Sequence, residues 1–208
     1  MGAQLAERFR QDAVFLAGDA AHRVTPRGGT GLKSALHDGF DLGWKLAWVL
    51  RGWAGPALLD TYEAERRPLV EHNVARSIDP DGSNRAAEEV LGADLGGRVA
   101  HVWLPGRVST LDLLSDGLTL FTGPERAAWD AAAAALSAPV ALAVRSLDAL
   151  PARTLGVRGD GALLVRPDGQ PAGWWPDATG AVPKLRAAVG AVTAGGAGRA
   201  ALAEPAAA

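Results

Sequence analysis

The sequence predicts an α/β protein built in two parts, and three observations lead to that prediction. A short apolar strand at residues 13–17 ends at an acid and a glycine-rich turn, which a long helical pattern follows. A cluster of glycines near residue 95 interrupts the chain. Strand and helix patterns then return in the order β-α-β and β-β-α. We therefore expect one domain in residues 1–95, a second in residues 97–193 and a flexible Ala/Gly tail in residues 194–208.

Composition and charge exclude several classes of function. The chain has 208 residues, a formal net charge of −2 and no cysteine. That charge gives no electrostatic reason to expect binding to nucleic acid or to an anionic membrane. The lack of thiols excludes disulfides and Cys-x-x-Cys redox chemistry, and no two histidines pair at ligand spacing with an acid, so no metal site is expected. Neither a signal peptide nor a long apolar segment is evident, which favours a cytoplasmic location.

The first part of the chain carries the pattern of a ligand-binding edge. Asp19 lies just past the end of the predicted strand, where open α/β sheets hold their ligands. The glycines at 28, 29 and 31 permit close approach of the backbone to a ligand. A helix is predicted from Leu32 to Arg51, and its N-terminus carries a partial positive charge. Strand, acid, glycine-rich turn and helix N-terminus together predict a cofactor-binding edge.

Apolar residues at helical spacing predict two helices in this part of the chain. In the first helix they are Ala35, Leu36, Leu42, Leu46, Val49 and Leu50. Pro56 opens the second helix, predicted over 57–76, with an inner face of Leu58, Leu59, Tyr62, Leu69 and Val70. We expect Trp44, Trp48 and Trp53 to pack the first helix against a sheet. We interpret Glu65 and Arg66 as a structural ion pair that holds the second helix.

Turn-forming residues at 77–84 predict a break, after which a series of shorter elements follows. A short helix is expected over 86–91. Strands are predicted over 101–104, 118–122 and 140–144, with a hairpin formed by 162–166 and 173–175. Helices are predicted over 124–136 and 183–192. The pair Trp174-Trp175 fits either the core or a dimer interface.

Specific motifs resemble a known family. They are Gly18-Asp19-Ala20-Ala21-His22, Pro26, Gly28-Gly29-Thr30-Gly31, Asp38, Leu42-Gly43-Trp44-Lys45-Leu46-Ala47 and Tyr62-Glu63-Ala64-Glu65-Arg66-Arg67-Pro68. Together they are similar to the second flavin motif of the group A FAD-dependent aromatic hydroxylases. The likeness is to the branch that acts on aromatic polyketides and carries a thioredoxin-like C-terminal domain, since it resumes at residues 101–104 and 163–169. The order of elements in the second part is likewise similar to a thioredoxin fold.

The resemblance implies a fold, a cofactor and a reaction. The first part would be the C-terminal part of a glutathione-reductase-like FAD-binding domain, and the second a thioredoxin-like domain. NAD(P)H would reduce FAD, and O2 would then form a flavin C4a-hydroperoxide that hydroxylates an aromatic small-molecule substrate. The implied cofactor-binding residues are Gly18, Asp19, Pro26, Gly28, Gly29, Gly31, Leu32 and Lys33. The backbone of Pro26 is the one implied catalytic group, whereas His22 is expected to be structural.

Several alternatives stay open at this point. Asp19 fits a turn cap as well as a ligand of the ribityl chain, and the glycine-rich segment fits an ordinary turn. Lys33 stands where the family has Asn and fits either a cation beside the flavin or a solvent-facing side chain; Asp41 also replaces an Asn of the family. No Gly-x-Gly-x-x-Gly fingerprint opens the chain, so its partner would be the missing N-terminal FAD-binding half, a partner subunit or a second copy. The main rival function is a non-catalytic dimerisation or partner subunit, and the second is a truncated reading frame.

Overall fold

A computed structural model describes residues 2–26, 29–79, 81 and 97–195. The chain divides into two compact units, one of Met1–Leu50 with Pro56–Arg98 and one of Arg51–Gly55 with Val99–Ala208. The predicted short helix over 86–91 and most of the predicted tail lie outside the described residues. The assignment of residues 1–95 and 97–193 to two domains stays a prediction.

The described residues of the first unit form two long helices and four very short strands. The strands are β1 (Gln4–Leu5), β2 (Arg10–Gln11), β3 (Val14–Phe15) and β4 (His22–Arg23). They form two antiparallel pairs, β1 with β4 and β2 with β3. The helices are α1 (Gly31–Leu50) and α2 (Thr61–Ile78), and a 3-10 helix at Pro56–Asp60 precedes α2. Pro56 therefore opens the 3-10 turn that leads into α2.

The core of the first unit contains the predicted inner face of α2, whereas the strand predicted over 13–17 differs from its observed form. Phe9, Ala21, Tyr62 and Val70 form a buried apolar cluster, as the predicted inner face of α2 requires. The strand predicted over 13–17 is represented by the two residues of β3, and the side chain of Val14 is 65% exposed. Among the described residues β3 has a neighbouring strand on one side only. The strand is therefore shorter than predicted and is not covered on both sides in this unit.

The buried face of α1 differs from what its apolar spacing suggests. The buried residues of this helix are Ser34, Asp38, Asp41, Trp44, Lys45 and Trp48. Leu36 and Leu50, two of the residues that predicted the helix, are 65% and 84% exposed. Trp44 and Trp48 are buried, and their rings meet edge to face with centroids 4.8 Å apart. Polar and aromatic side chains thus hold α1 in place.

The second unit is built on one four-stranded sheet. Its strands are β7 (Leu118–Thr122), β8 (Leu142–Ser146), β9 (Ala162–Val165) and β10 (Pro171–Trp175), preceded by a hairpin of β5 (Trp103–Leu104) and β6 (Val108–Ser109). The sheet order is β10-β9-β7-β8, with β7 and β8 parallel and the other neighbours antiparallel. The helices are α3 (Ala127–Ala134), α4 (Ala149–Thr154) and α5 (Ala181–Thr193).

This topology is that of a thioredoxin-like domain, as the order of elements predicted. The β7-α3-β8 segment makes the parallel pair, and the β9-β10 hairpin followed by α5 completes the fold. Buried residues of the sheet, among them Phe121, Leu163 and Val165, pack with Leu155 and Val157 in the core. The helix α4 was not predicted, because six residues that include Pro151 give too short a pattern to show helical spacing. None of the helices in the described ranges has the length and apolar character needed to cross a lipid bilayer.

Candidate functional site

The predicted site begins at a tight turn that follows β3. Residues Gly18–Ala20 form a 3-10 turn, closed by a hydrogen bond from the Ala21 N–H to the Gly18 carbonyl oxygen at 2.9 Å. Gly18 has a φ of +58°, and a Cβ added there would lie 3.2 Å from the Cβ of Ala35 on α1. Both the positive φ and this close approach favour glycine. The turn is therefore fixed directly against the second turn of α1.

Asp19 lies on the exposed side of this turn. Together with Arg23 and residues of β1 and β4, it lines a groove of about 420 Å³. Its carboxylate is thus available at the surface of the first unit, one residue beyond the buried Gly18. Arg23 was not predicted as a site residue, because nothing in its sequence pattern distinguishes it from an ordinary surface cation.

The loop that follows leads into the N-terminus of α1. Pro26 and Gly29 are exposed, and Gly29 adopts a φ of +62°. Gly31 begins α1, and a Cβ there would lie 2.9 Å from a methyl carbon of Val24. Leu32 is 74% exposed and Lys33 is exposed as well, and both interpretations of Lys33 stay open. Gly28 lies outside the described residues.

Thr30 is a polar residue of this loop that the sequence did not single out. Its side chain is 3% exposed, and its Oγ1 has no hydrogen-bond partner among the described residues. A buried hydroxyl without a partner costs free energy, and a bound ligand is one way to satisfy it. The first backbone N–H groups of α1, which follow Thr30, also lack acceptors within the helix. The start of α1 therefore offers several donors to a ligand.

A buried polar cluster, formed by Asp38, His22, Arg66, Ser34 and Asn73, lies behind the turn. Asp38 is the centre of this cluster and is fully buried. Its carboxylate accepts hydrogen bonds from the Gly18 N–H at 3.0 Å and from Arg66 Nε at 2.8 Å, and it contacts His22 Nε2 at 2.5 Å. The Asn73 amide donates to Ser34 Oγ at 3.2 Å. The cluster thus connects the turn, β4, α1 and α2.

The cluster corrects the interpretation of Glu65 and Arg66 as one ion pair. Arg66 pairs with Asp38, whereas Glu65 pairs with Lys45 at 2.9 Å. Lys45 Nζ also donates to Asp41 Oδ2 at 2.7 Å. The ammonium of Lys45 is fully buried between these two carboxylates. Both pairs reach from α2 to α1, so they hold the two helices together instead of stabilising α2 alone.

The electrostatics of the cluster favour an ionised Asp38. Burial by itself raises the pKa of this carboxyl, but the hydrogen bond from His22 and the charge of Arg66 outweigh it, and the pKa lies below its ordinary value. Burial and the negative charge of Asp38 raise the pKa of Tyr62, whose hydroxyl donates to the Leu16 carbonyl oxygen at 2.8 Å. The expected structural role of His22 agrees with this geometry, since its ring is buried against a carboxylate.

The pH dependence of stability provides a test of this cluster. The folded-state pKa of Asp38 is lowered, so in the interval below the unfolded value of about 3.9 the unfolded chain binds more protons. The stabilisation is therefore present above that pH and is lost as the pH falls through the folded pKa. We expect the stability difference between wild type and Asp38→Asn to shrink as the pH is lowered from about 6 to 3. Urea denaturation at each pH, with the unfolding transition of the first unit resolved from that of the second, measures it. A difference that does not vary with pH contradicts the assignment.

The structure agrees with the predicted positions of the glycines but adds an ion pair that the sequence analysis did not identify. Gly18, Gly29 and Gly31 occupy positions where the backbone is left-handed or closely approached. Asp38 and Arg66 were present in the motifs, but their pairing was missed. The separation of 28 residues between them leaves no local signal, although a buried acid in an otherwise amphipathic helix would have indicated a nonlocal cation.

The residues of this edge fit a flavin cofactor in their chemistry. A flavin carries hydroxyl donors on its ribityl chain and carbonyl acceptors on its ring. Asp19 supplies an exposed charged acceptor, whereas the N-terminus of α1 and the unpartnered Thr30 hydroxyl supply donors. The second unit has no thiol at the end of β7, where Gly123-Pro124 stands, so redox chemistry by cysteine is excluded there.

Comparisons with known proteins agree with this chemistry. Residues 1–77 match the family model for an FAD binding domain, and residues 93–195 match the model for the C-terminal region of aromatic-ring hydroxylases. The chain is 37% identical over 219 residues to aklavinone 12-hydroxylase of Streptomyces purpurascens, which covers 81% of this chain and 41% of that protein. It is also 37% identical over 215 residues to tetracenomycin A2 monooxygenase-dioxygenase of Streptomyces glaucescens, which covers 79% of this chain and 38% of that protein.

Solved structures of FAD-dependent hydroxylases are similar to this chain as well. A ternary complex of aklavinone-11 hydroxylase with FAD and aklavinone superimposes with a TM-score of 0.74 and 35% identity, over 92% of this chain and 45% of that one. The flavin-dependent monooxygenase PieE, in complex with FAD and substrate, superimposes with a TM-score of 0.74 and 27% identity, over 91% and 49%. The chain thus spans less than half the length of these relatives. From the motifs, the geometry and these matches together, the chain belongs to the family of FAD-dependent aromatic-ring hydroxylases.

Proposed function

We propose that this chain contributes the flavin-ring edge of an FAD-dependent hydroxylase that acts on an aromatic, polyketide-like substrate with NAD(P)H and O2. The observation that carries the proposal is the turn at Gly18–Ala20, which places the exposed Asp19 on a groove and is fixed against α1 through Gly18. FAD, when bound, supplies the redox and oxygen-transfer chemistry, and the protein supplies position and electrostatics.

The roles of the residues follow from their chemistry. The Asp19 carboxylate accepts a hydrogen bond from a hydroxyl of the ribityl chain. The backbone N–H groups of Gly31, Leu32 and Lys33, at the start of α1, favour negative charge on the reduced ring by about 0.3–1 kcal/mol. Gly18, Pro26, Gly28 and Gly29 would contribute to cofactor binding, and the backbone of Pro26 would be the catalytic group. Because Leu32 and Lys33 act through their backbone, Lys33 in place of Asn is compatible with this function.

A chimera tests the proposed function. In it, this chain replaces the matching region of aklavinone 12-hydroxylase from Streptomyces purpurascens. We expect the purified chimera to retain FAD and to oxidise NAD(P)H faster when aklavinone is added, because the two halves of the flavin site are joined in one polypeptide. Visible absorbance measures the retained FAD, and oxygen consumption measures the rate of the reaction with NAD(P)H. A folded chimera that retains no FAD contradicts the proposal and favours a non-catalytic role.

Replacement of Asp19 by alanine is expected to weaken FAD binding. A hydrogen bond to a charged acceptor contributes about 1.5–3 kcal/mol, which corresponds to roughly a ten- to hundredfold rise in Kd. Quenching of flavin fluorescence on titration into the chimera measures this constant. Asp148→Ala, an exposed acid of the second unit, is the matched control and is expected to leave the Kd unchanged. Equal affinities of Asp19→Ala and wild type for FAD would show that Asp19 stabilises the turn and does not bind the cofactor.

A further inference from the structure

Two buried polar atoms lie where α1 and α2 meet, and neither has a hydrogen-bond partner among the described residues. They are Thr30 Oγ1, just ahead of α1, and Asn73 Oδ1 on α2. Both residues are at most 3% exposed, so bulk solvent does not reach these atoms. About nine tenths or more of the buried polar groups in proteins are hydrogen-bonded, and each exception requires an explanation.

The contacts between the two helices show that they run antiparallel. The ion pair of Lys45 with Glu65 joins the later part of α1 to the first turns of α2. The hydrogen bond from Asn73 Nδ2 to Ser34 Oγ, at 3.2 Å, joins the first turn of α1 to the later part of α2. Thr30 precedes Ser34 by one helical turn, and its carbonyl oxygen accepts from the Ser34 N–H at 2.9 Å. Thr30 therefore follows Ser34 along the same side of α1 as the Asn73 contact.

Four small polar side chains consequently line the contact between the start of α1 and the end of α2. We call them the polar seam, and all of them are buried: Thr30, Ser34, Asn73 and Ser77. Ser77 follows Asn73 by one turn, and its hydroxyl donates to the Val74 carbonyl oxygen at 2.8 Å. Ser77 Oγ also accepts from the Thr25 N–H at 3.2 Å. The hydrogen of Ser77 is thus already used, and it is not a donor to the two unpartnered atoms.

The spacing within the polar seam fits one small bridging molecule. Successive turns of a helix are about 5.4 Å apart. Two hydrogen bonds that share one oxygen atom span about the same length. A single oxygen atom between Thr30 Oγ1 and Asn73 Oδ1 therefore reaches both. Ser34 Oγ accepts from Asn73, and its own hydrogen has no acceptor in the part of the chain that the structure describes.

The chemistry of the seam selects the kind of molecule. Asn73 Oδ1 only accepts hydrogen bonds, which excludes an anion at that atom. A cation is disfavoured by the partial positive charge at the N-terminus of α1. It is also disfavoured by the guanidinium of Arg66, whose Nη2 donates to the Ser34 carbonyl oxygen at 3.5 Å. Water is neutral, donates and accepts, and when buried it makes about three hydrogen bonds to groups that otherwise lack partners.

We propose that the polar seam binds one internal water molecule. The water accepts from the Ser34 hydroxyl and donates to Thr30 Oγ1 and Asn73 Oδ1. It joins the start of α1 to α2 and satisfies both unpartnered atoms. The hydrogen of the Thr30 hydroxyl stays available to a further acceptor, such as a flavin carbonyl. The water site itself does not depend on the proposed function, because this chain supplies all of its ligands.

A crystal structure of the chain without FAD tests the site directly. We expect density for one oxygen atom about 2.5–3.0 Å from Thr30 Oγ1, Asn73 Oδ1 and Ser34 Oγ. An empty site overturns the proposal, as do hydrogen bonds from Thr30 Oγ1 and Asn73 Oδ1 to other groups of the protein. An anomalous X-ray signal at the site identifies an ion such as chloride or potassium and also overturns it.

A double-mutant cycle tests the same site in solution. Thr30→Val and Asn73→Leu remove the polar groups with little change in volume, and hydrogen exchange of α1 peptides measures the loss of protection. If one water joins both residues, the double variant loses less protection than the product of the two single losses. We expect the shortfall to be about threefold or more, since members of one hydrogen-bond network are coupled. A double variant within about twofold of the product overturns the proposal.

Thr61→Val is the matched control for this cycle. Thr61 is a buried threonine of α2, and its hydroxyl donates to the Leu58 carbonyl oxygen at 2.7 Å. It lies about 18 Å along the helix from Asn73, so the losses of Thr61→Val and Asn73→Leu are expected to multiply within about twofold. Coupling of this pair as strong as that of Thr30 with Asn73 shows a general loosening of the unit and overturns the proposal. Circular dichroism checks folding, and if a variant does not fold, the density of the wild type decides.

Discussion

Replacement of Asp38 by alanine is expected to lower the free energy of unfolding of the first unit by about 3–5 kcal/mol. The side chain of Asp38 is fully buried and accepts from the Gly18 N–H, and it pairs with Arg66 and His22. Its removal leaves the guanidinium of Arg66, which is 5% exposed, without its carboxylate. It also leaves the Gly18 N–H without its acceptor. An unpaired buried charge is the largest of these costs.

The measurement must distinguish the two units, because a chain of two units does not unfold in one step. Hydrogen exchange of peptides from α1 and α2, followed in increasing urea, reports on the first unit. Glu71→Ala serves as the control, since Glu71 of the same unit is exposed and pairs with Arg67 at 2.9 Å. Exposed pairs contribute about 0–1 kcal/mol. If Asp38→Ala costs no more than Glu71→Ala, the buried cluster does not stabilise the unit.

Replacement of Trp129 by alanine is expected to destabilise the second unit by about 3–5 kcal/mol, the range for removal of a large aromatic side chain from a core. Trp129 on α3 is fully buried, and its indole stacks on Trp175 with centroids 5.0 Å apart. The indole Nε1 donates to the Asp160 carbonyl oxygen at 2.6 Å. The substitution therefore creates a cavity between α3 and β10 and removes a buried hydrogen bond.

The same chain provides a control with the same substitution. Trp103 on β5 is 66% exposed, so Trp103→Ala removes an equally large side chain without a comparable cavity. Exchange of peptides from β7, β9 and α5 measures the effect in the second unit. We expect a large loss of protection for Trp129→Ala and a small one for Trp103→Ala. Equal losses would show that packing of α3 on β10 is not what stabilises this unit. The packing of Trp175 against Trp129 also supports the core interpretation of the Trp174-Trp175 pair.

Most of the second unit was predictable from the sequence. The strand over 118–122 was placed correctly, and β8, β9, β10 and the last helix lie within two residues of their predicted positions. Their patterns are local, since each is indicated by a short apolar run between turn residues. The thioredoxin-like order follows from these elements and from the rule that a β-α-β segment forms a parallel pair. The helix α4 and the strand β6 were missed, because both are too short to show a period.

The residue types of the candidate site were predictable from the sequence, but the hydrogen-bond and ion-pair partners of its residues were not. Gly18 and Asp19 were identified because a strand end followed by glycine and acid is a local pattern. The partners of Asp38 were not identified, since they lie 16 and 28 residues away in His22 and Arg66. Thr30 was quoted in a motif, but its burial without a hydrogen-bond partner is a property of the folded unit. The roles proposed for Asp19, Pro26 and Lys33 stay predictions that the chimera tests.

The sequence by itself determined the α/β class, the glycine-containing turn ahead of a long helix and the thioredoxin-like second unit, because backbone preference and apolar period act over a few residues. Only the tertiary structure decided which side of α1 is buried. The period of its leucines favoured one side, yet the ion pairs of Asp38 and Lys45 with residues of α2 selected the other. Burial of a charge is tolerated only where its partner is within reach, and that partner is brought there by the fold. The exposure of Leu32, Leu36 and Phe40 on α1 is the consequence.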